Sequence, residues 1–129
     1  MNYYQSKIIA NTTVEKLRPK VEEELKKVGF GVLTEIDIQK TMKKKLNKEY
    51  LPHLILGACS PVYADKIISV EPHISTLLPC NVTLRDLGDG NVEVSAMNPL
   101  KAMQAVKNEK VKPIAEEVQH QLSVVLKNL

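Results

Sequence analysis

Asn91-Val92-Glu93-Val94-Ser95-Ala96-Met97 is the stretch on which the fold turns. Val92, Val94 and Ala96 alternate with Glu93 and Ser95, the period-two pattern of a strand with one buried and one wet face. Immediately upstream, Leu87-Gly88-Asp89-Gly90 has the composition of a hairpin turn, and Thr76 to Arg85 is expected to form the partner strand. Further upstream, His53-Leu54-Ile55-Leu56-Gly57-Ala58 is almost continuously apolar, as a central strand would be. Downstream, Asn98-Pro99 predicts a capped helix reaching about Asn108. Pro113 is expected to begin a last helix, because Ile114, Val118, Leu122, Val125 and Leu129 keep helical spacing.

The rest of the chain supplies further strand and helix units. Tyr3 to Ala10 has the β-branched and aromatic content of a first strand. Thr12 and Glu15 form a capping box that opens a helix with Val14, Leu17, Val21, Leu25 and Val28 on one face, and Gly29 supplies its stop. Pro19 removes a backbone donor inside that helix, at a cost of about 3 kcal/mol, so a bend or a late start near Arg18 is expected. Phe30 to Ile36 reads as a second strand, followed by a short helix to Leu46 capped by Asp37. Ser60 and Pro61 begin another helix that ends at Glu71-Pro72. The expected order is β-α-β-α-β-α-β-β-α-α: one α+β domain over residues 1–129, an antiparallel-rich sheet with helices on one face.

At 129 residues the chain is about one domain long, and it needs neither metal nor disulfide to fold. Its net charge is +3, and the densest basic run, Lys43-Lys44-Lys45, lies in a segment of helical periodicity and reads as a solvated face. Without arginines or aromatics placed for stacking, that run argues against a nucleic-acid partner. The start of the chain lacks the pattern of a signal peptide, and nowhere do about 18 apolar residues run together, so no membrane association is expected. Cys59 and Cys80 are too few for a secreted disulfide framework, which points to the cytoplasm.

Three strings carry a family resemblance: Gly29-Phe30 leading to Glu35-Ile36-Asp37, Leu56-Gly57-Ala58-Cys59-Ser60-Pro61, and Leu77-Leu78-Pro79-Cys80-Asn81-Val82. With Met97-Asn98-Pro99 as a fourth, the chain resembles the family called domain of unknown function 302. Ser60 stands where that family commonly has Asn, and Asn98 where it commonly has Asp; both substitutes are competent helix caps. The resemblance implies a TATA-binding-protein-like α+β fold and a homodimer, and no activity.

Candidate chemistry centres on the thiols. Cys59 ends a strand just before a helix start, where unpaired amides and the helix dipole favour a thiolate; the alternative is a small buried residue at a strand-helix junction. Cys80 can act as its resolving partner or as a second metal ligand, and Cys59, Cys80, His53 and His73 together have the donor types of a zinc site, without the usual close Cys pair. Glu35 and Asp37 lie on one side of a strand and suit acid-base work or a hard cation, or else Asp37 is a cap and Glu35 a solvated residue. Asn81 either orients a ligand or satisfies the turn into its strand.

The leading expectation is a non-enzymatic binding or interaction domain, a homodimer holding a small ligand or metal near Cys59, Ser60, Cys80, Asn81 and Asp37. The alternative is a thiol-redox protein with Cys59 as nucleophile and Cys80 as partner.

Overall fold

In the computed structural model, which describes residues 2–129, the Val92–Met97 alternation forms a strand that pairs with Tyr4–Ile9 on one side and Cys80–Asp86 on the other. The elements are β1 (Tyr4–Ile9), α1 (Val14–Lys27), β2 (Gly31–Asp37), α2 (Ile38–Leu46), β3 (His53–Cys59), α3 (Pro61–Val70), a 3-10 helix (Pro72–Leu77), β4 (Cys80–Asp86), β5 (Val92–Met97), α4 (Pro99–Ala102) and α5 (Val111–Lys127). The expected α+β order holds, with the 3-10 helix added. The five strands form one sheet in the order β1-β5-β4-β3-β2, each antiparallel to its neighbours.

Register fixes which side chains go inside. Leu54, Leu84 and Val94 lie in one cross-strand row, and Leu56, Val82 and Ala96 in the next. Val14, Leu17, Val21 and Leu25 of α1, with Val118, Leu122 and Val125 of α5, pack onto this face as the main core. A second cluster, Ile67, Ile74, Met103, Val111 and Ala115, forms where α3, the 3-10 helix, α4 and α5 meet. On the opposite face of the sheet only Gly57 is buried; Tyr4, Ile8, Ile36, Asn81 and Arg85 are exposed.

Several element boundaries differ from expectation for local reasons. The α1 cap is Thr13, whose side chain accepts from the Lys16 amide, so the Thr12–Glu15 box does not form. The helix begins at Val14 and runs on through Pro19, which is exposed, so the Glu15 carbonyl it leaves without a donor can be hydrated. Ser60 precedes α3 as expected, but its side chain makes no capping bond. Residues 76–79 are not strand, because Ser75 and Thr76 bond back to the Pro72 and His73 carbonyls and close a 3-10 helix. Asn98 caps α4 through the Leu100 amide, yet α4 stops at Ala102, and α5 starts at Val111, ahead of Pro113.

Candidate functional site

Strand alternation decides where the thiols go. Ala58 pairs with Cys80 and Gly57 with Asn81 across β3 and β4, so Cys80 leaves the sheet on the core side with Val82. Cys59, one residue beyond Ala58, has the strand parity of His53 and Asn81 but, as the last residue of β3, borders the same core-side cavity as Cys80. Both cysteines are free, Cys59 half-buried and Cys80 buried. They border one apolar cavity, closed by Phe30, Tyr63, Leu78, Met103 and Val118, with a volume of about 30 Å³. A cavity of that volume has room for a few waters at most, and its apolar lining offers them no hydrogen-bond partners. Sites for metabolite-sized ligands occupy roughly 300–1,000 Å³. The cavity is too small by a factor of about ten.

The electrostatics at Cys80 point the same way. Burial, and then the charge of Cys59, pushes the Cys80 thiol from 9.0 up to about 11. At neutral pH Cys80 is therefore a protonated thiol and a poor attacking group. Two outcomes follow. In the native protein iodoacetamide should label Cys59 while Cys80 reacts only after unfolding, as peptide mass spectrometry would show. Folded Cys80 holds its proton up to pH 11, whereas the unfolded thiol loses it near 9, so stability present below pH 9 is lost as pH rises through 11. The loss amounts to about 3 kcal/mol. Denaturant titrations across this window should show that decline in the parent chain and not in Cys80→Ala. Equal slopes in the two proteins would refute the assignment.

The four residues with zinc-site donor types do not converge. His53 and Cys59 stand at opposite ends of β3, about 20 Å apart along the strand. His73 is exposed in the 3-10 helix. Among the described residues no group of three or more His, Cys, Asp or Glu side chains is placed to hold one ion. His53 pairs with Arg85, and burial followed by the Arg85 charge holds its imidazole below the usual value.

Glu35 and Asp37 are already engaged. Glu35 accepts from Arg18 Nε at 2.6 Å, and Arg18 also pairs with Glu22 one turn along α1. These bonds, that to Glu35 foremost, raise the guanidinium pKa. Asp37 accepts from the Lys40 amide at 2.9 Å and caps α2, as its sequence context indicates. Lys43, Lys44 and Lys45 fill the last turn of that helix, where cations complement the dipole.

Two larger clefts lie elsewhere. One, of about 440 Å³, runs over the open sheet face beside Tyr3, Tyr4, Asn81, Thr83, Ser95 and Met97. Asn81 is thus a sequence-derived candidate that meets a sizeable concavity. The other, of about 770 Å³, lies between α4 and the start of α5 and has Lys101, Lys107 and Lys112 on its walls. Neither was marked by sequence pattern. The residues around the second are spread over 17 positions with no dense basic run, and those of the first are united only by strand register.

No helix among the described residues is long and apolar enough to cross a membrane. Among curated proteins no sequence matches the chain. Its fold is similar to the crystal structure of an uncharacterized conserved protein DUF302 from Bacillus stearothermophilus. That similarity has a TM-score of 0.89 and 21% identity, covering 98% of each chain. The family model described as domain of unknown function DUF302 matches residues 6–129. With all but a few N-terminal residues inside that match, the chain belongs to the DUF302 family.

Proposed function

We propose that this protein is a non-enzymatic cytoplasmic interaction domain that works as a homodimer, with the open face of the sheet as its contact surface. The observation that carries the reading is the composition of that face. Tyr4, Ile8 and Ile36 are exposed at 38%, 57% and 47%, and Ile55 lies half-buried beside Ile36 in the neighbouring strand. Its ionised groups, Arg85 and Glu93, neutralise each other at 2.7 Å. The strand positions on this face include no lysine, although the chain has 18 basic residues. Protein contact surfaces are depleted of lysine in this way. A face without net charge meets a second copy of itself without repulsion, as a two-fold interface requires.

The area is adequate. Five strands spaced about 4.8 Å apart, each about 20 Å long, offer a flat area of roughly 480 Å² per partner, at the lower end of specific interfaces. The cysteine-centred ligand and metal readings lose to this one on cavity volume and on distance. The redox reading loses on the protonated Cys80. The carboxylates that could serve catalysis, Glu35 and Asp37, are tied to Arg18 and to the α2 amide.

Sedimentation velocity at micromolar concentration tests the proposal. The parent chain should sediment at twice its 14.5 kDa mass, and Ile36→Lys with Ile8→Lys should return it to monomer while the circular dichroism spectrum is unchanged. A parent chain that sediments as a monomer would sink the reading.

A further inference from the structure

We propose that residues 38–51, which comprise α2 and the loop after it, dock the protein onto an anionic lipid surface, lying on the bilayer without crossing it. This inference is independent of the sheet-face reading, because none of the residues involved lies on the sheet. A chain with no helix able to span a membrane can still bind one in this way, since a surface-bound segment needs only a few apolar side chains beside cations.

Charge is unevenly spread along this chain. Residues 38–51 contain Lys40, Lys43, Lys44, Lys45 and Lys48 against Glu49, a net +4, so the remaining residues together carry −1 of the chain's +3. All five lysines are exposed. Lys43 pairs with Glu49, and among the described residues none of the other four has a carboxylate within 4.0 Å. Clustered like charges repel one another, and a surface of fixed negative charge relieves that repulsion. Each lysine brought to such a surface strengthens binding by about fivefold.

The dipole of α2 accounts for lysines in its last turn, but not for the apolar side chains beside them. Leu46, Tyr50 and Leu51 are 59%, 40% and 54% exposed, three of the eleven large apolar side chains left exposed among the described residues, gathered within six positions. α2 buries no residue fully, although Ile38, Met42 and Leu46 keep one-face spacing. The loop is fastened to the helix, so these groups share one surface. The Asn47 and Lys48 amides donate to the Lys43 and Met42 carbonyls at 3.1 and 3.2 Å, and Gln39 Nε2 donates to the Tyr50 carbonyl at 3.0 Å. Cations next to leucine and an amphipathic tyrosine suit the interfacial zone of an anionic bilayer.

A bilayer fits this surface better than a peptide or a metabolite does. None of the three clefts described above is lined by a residue of this segment, and those ligands need a groove or pocket. Nucleic acid would meet the same lysines, but the segment offers one aromatic side chain and no arginine for stacking. A lipid surface needs no groove and takes up leucine and lysine together.

Co-sedimentation with vesicles provides the test. The parent chain should bind vesicles of equal parts phosphatidylglycerol and phosphatidylcholine roughly tenfold or more tightly than vesicles of phosphatidylcholine alone, with affinity falling as salt is raised. Lys44→Glu with Lys45→Glu should weaken that binding by about tenfold or more. Leu46→Ser with Leu51→Ser should weaken it by about fivefold with every charge retained. Poly-glutamate, which supplies charge without an apolar layer, should bind roughly fivefold more weakly than the mixed vesicles. In the parent chain, amide signals of residues 38–51 should broaden selectively when mixed vesicles are added, a readout that does not depend on any variant folding. Absence of binding to the mixed vesicles, full binding by the serine variant, or broadening confined to other residues would overturn the proposal. Equal binding of poly-glutamate would overturn it too, and would assign the surface to an acidic protein.

Discussion

Replacing Gly57 with alanine is expected to destabilise the protein by about 3 kcal/mol, because the residue sits under a lid of fixed atoms. A β-carbon built there would stand 2.8 Å from Pro79 Cγ and closer still to Thr34 Oγ1. Thr34 is the direct β2 partner of Gly57 and follows a register shift in that strand, while Pro79 leads into β4, so the glycine is pinched from both neighbouring strands. Neither neighbour yields easily: one is a proline ring and the other a β-branched side chain with few rotamers. Thr34→Ala should recover part of the loss in the double variant, and the proline contact should keep the remainder. Chemical denaturation of the three variants measures this. A Gly57→Ala protein within about 0.5 kcal/mol of the parent would show that the strands can part at no cost.

Leu84→Ala should cost as much or more, about 3–4 kcal/mol. Leu84 is fully buried in the middle strand of the sheet, in a row with Leu54 and Val94 and under α1 and α5. Strands on both sides and helices above hold the surroundings in place, so the vacated volume cannot collapse and the cavity penalty adds to the lost transfer energy. The same substitution at Leu46, 59% exposed at the end of α2, should fall within about 0.5 kcal/mol. Denaturant midpoints that rank the two positions equally would mean that the core is placed wrongly.

Much of this architecture was legible from local pattern. The β4–β5 hairpin, the apolar β3 and the Asp37 cap depend on residues within a few positions of each other, and each appears where alternation or capping chemistry put it. The misplaced boundaries have equally local competitors. The Ser75 and Thr76 hydroxyls turned an expected strand start into a 3-10 helix. Thr13, not its neighbour, captured the α1 amide.

The candidate site was harder to read, because its geometry is set between strands. Cys59 stands at a strand end as its sequence context indicates, but its approach to Cys80 at one cavity comes from the Ala58–Cys80 register, which no local pattern shows. Likewise nothing near Glu35 in the chain indicates that Arg18 of α1 lies within hydrogen-bond reach.

The order of the strands also has a bearing on how the chain is made. β1 is synthesised well before its only partner, for it lies at the sheet edge and its ladder is with β5, Tyr4 opposite Met97. The Tyr4–Ile9 segment must therefore wait, unpaired, until Val92–Met97 has been synthesised. The hairpin it awaits is built from short-range contacts and forms quickly, whereas closing so long a loop is slow. During that interval the apolar side chains of Tyr4, Ile8 and Ile9 have no sheet to pack on, and an unpaired strand of this kind is open to wrong pairing.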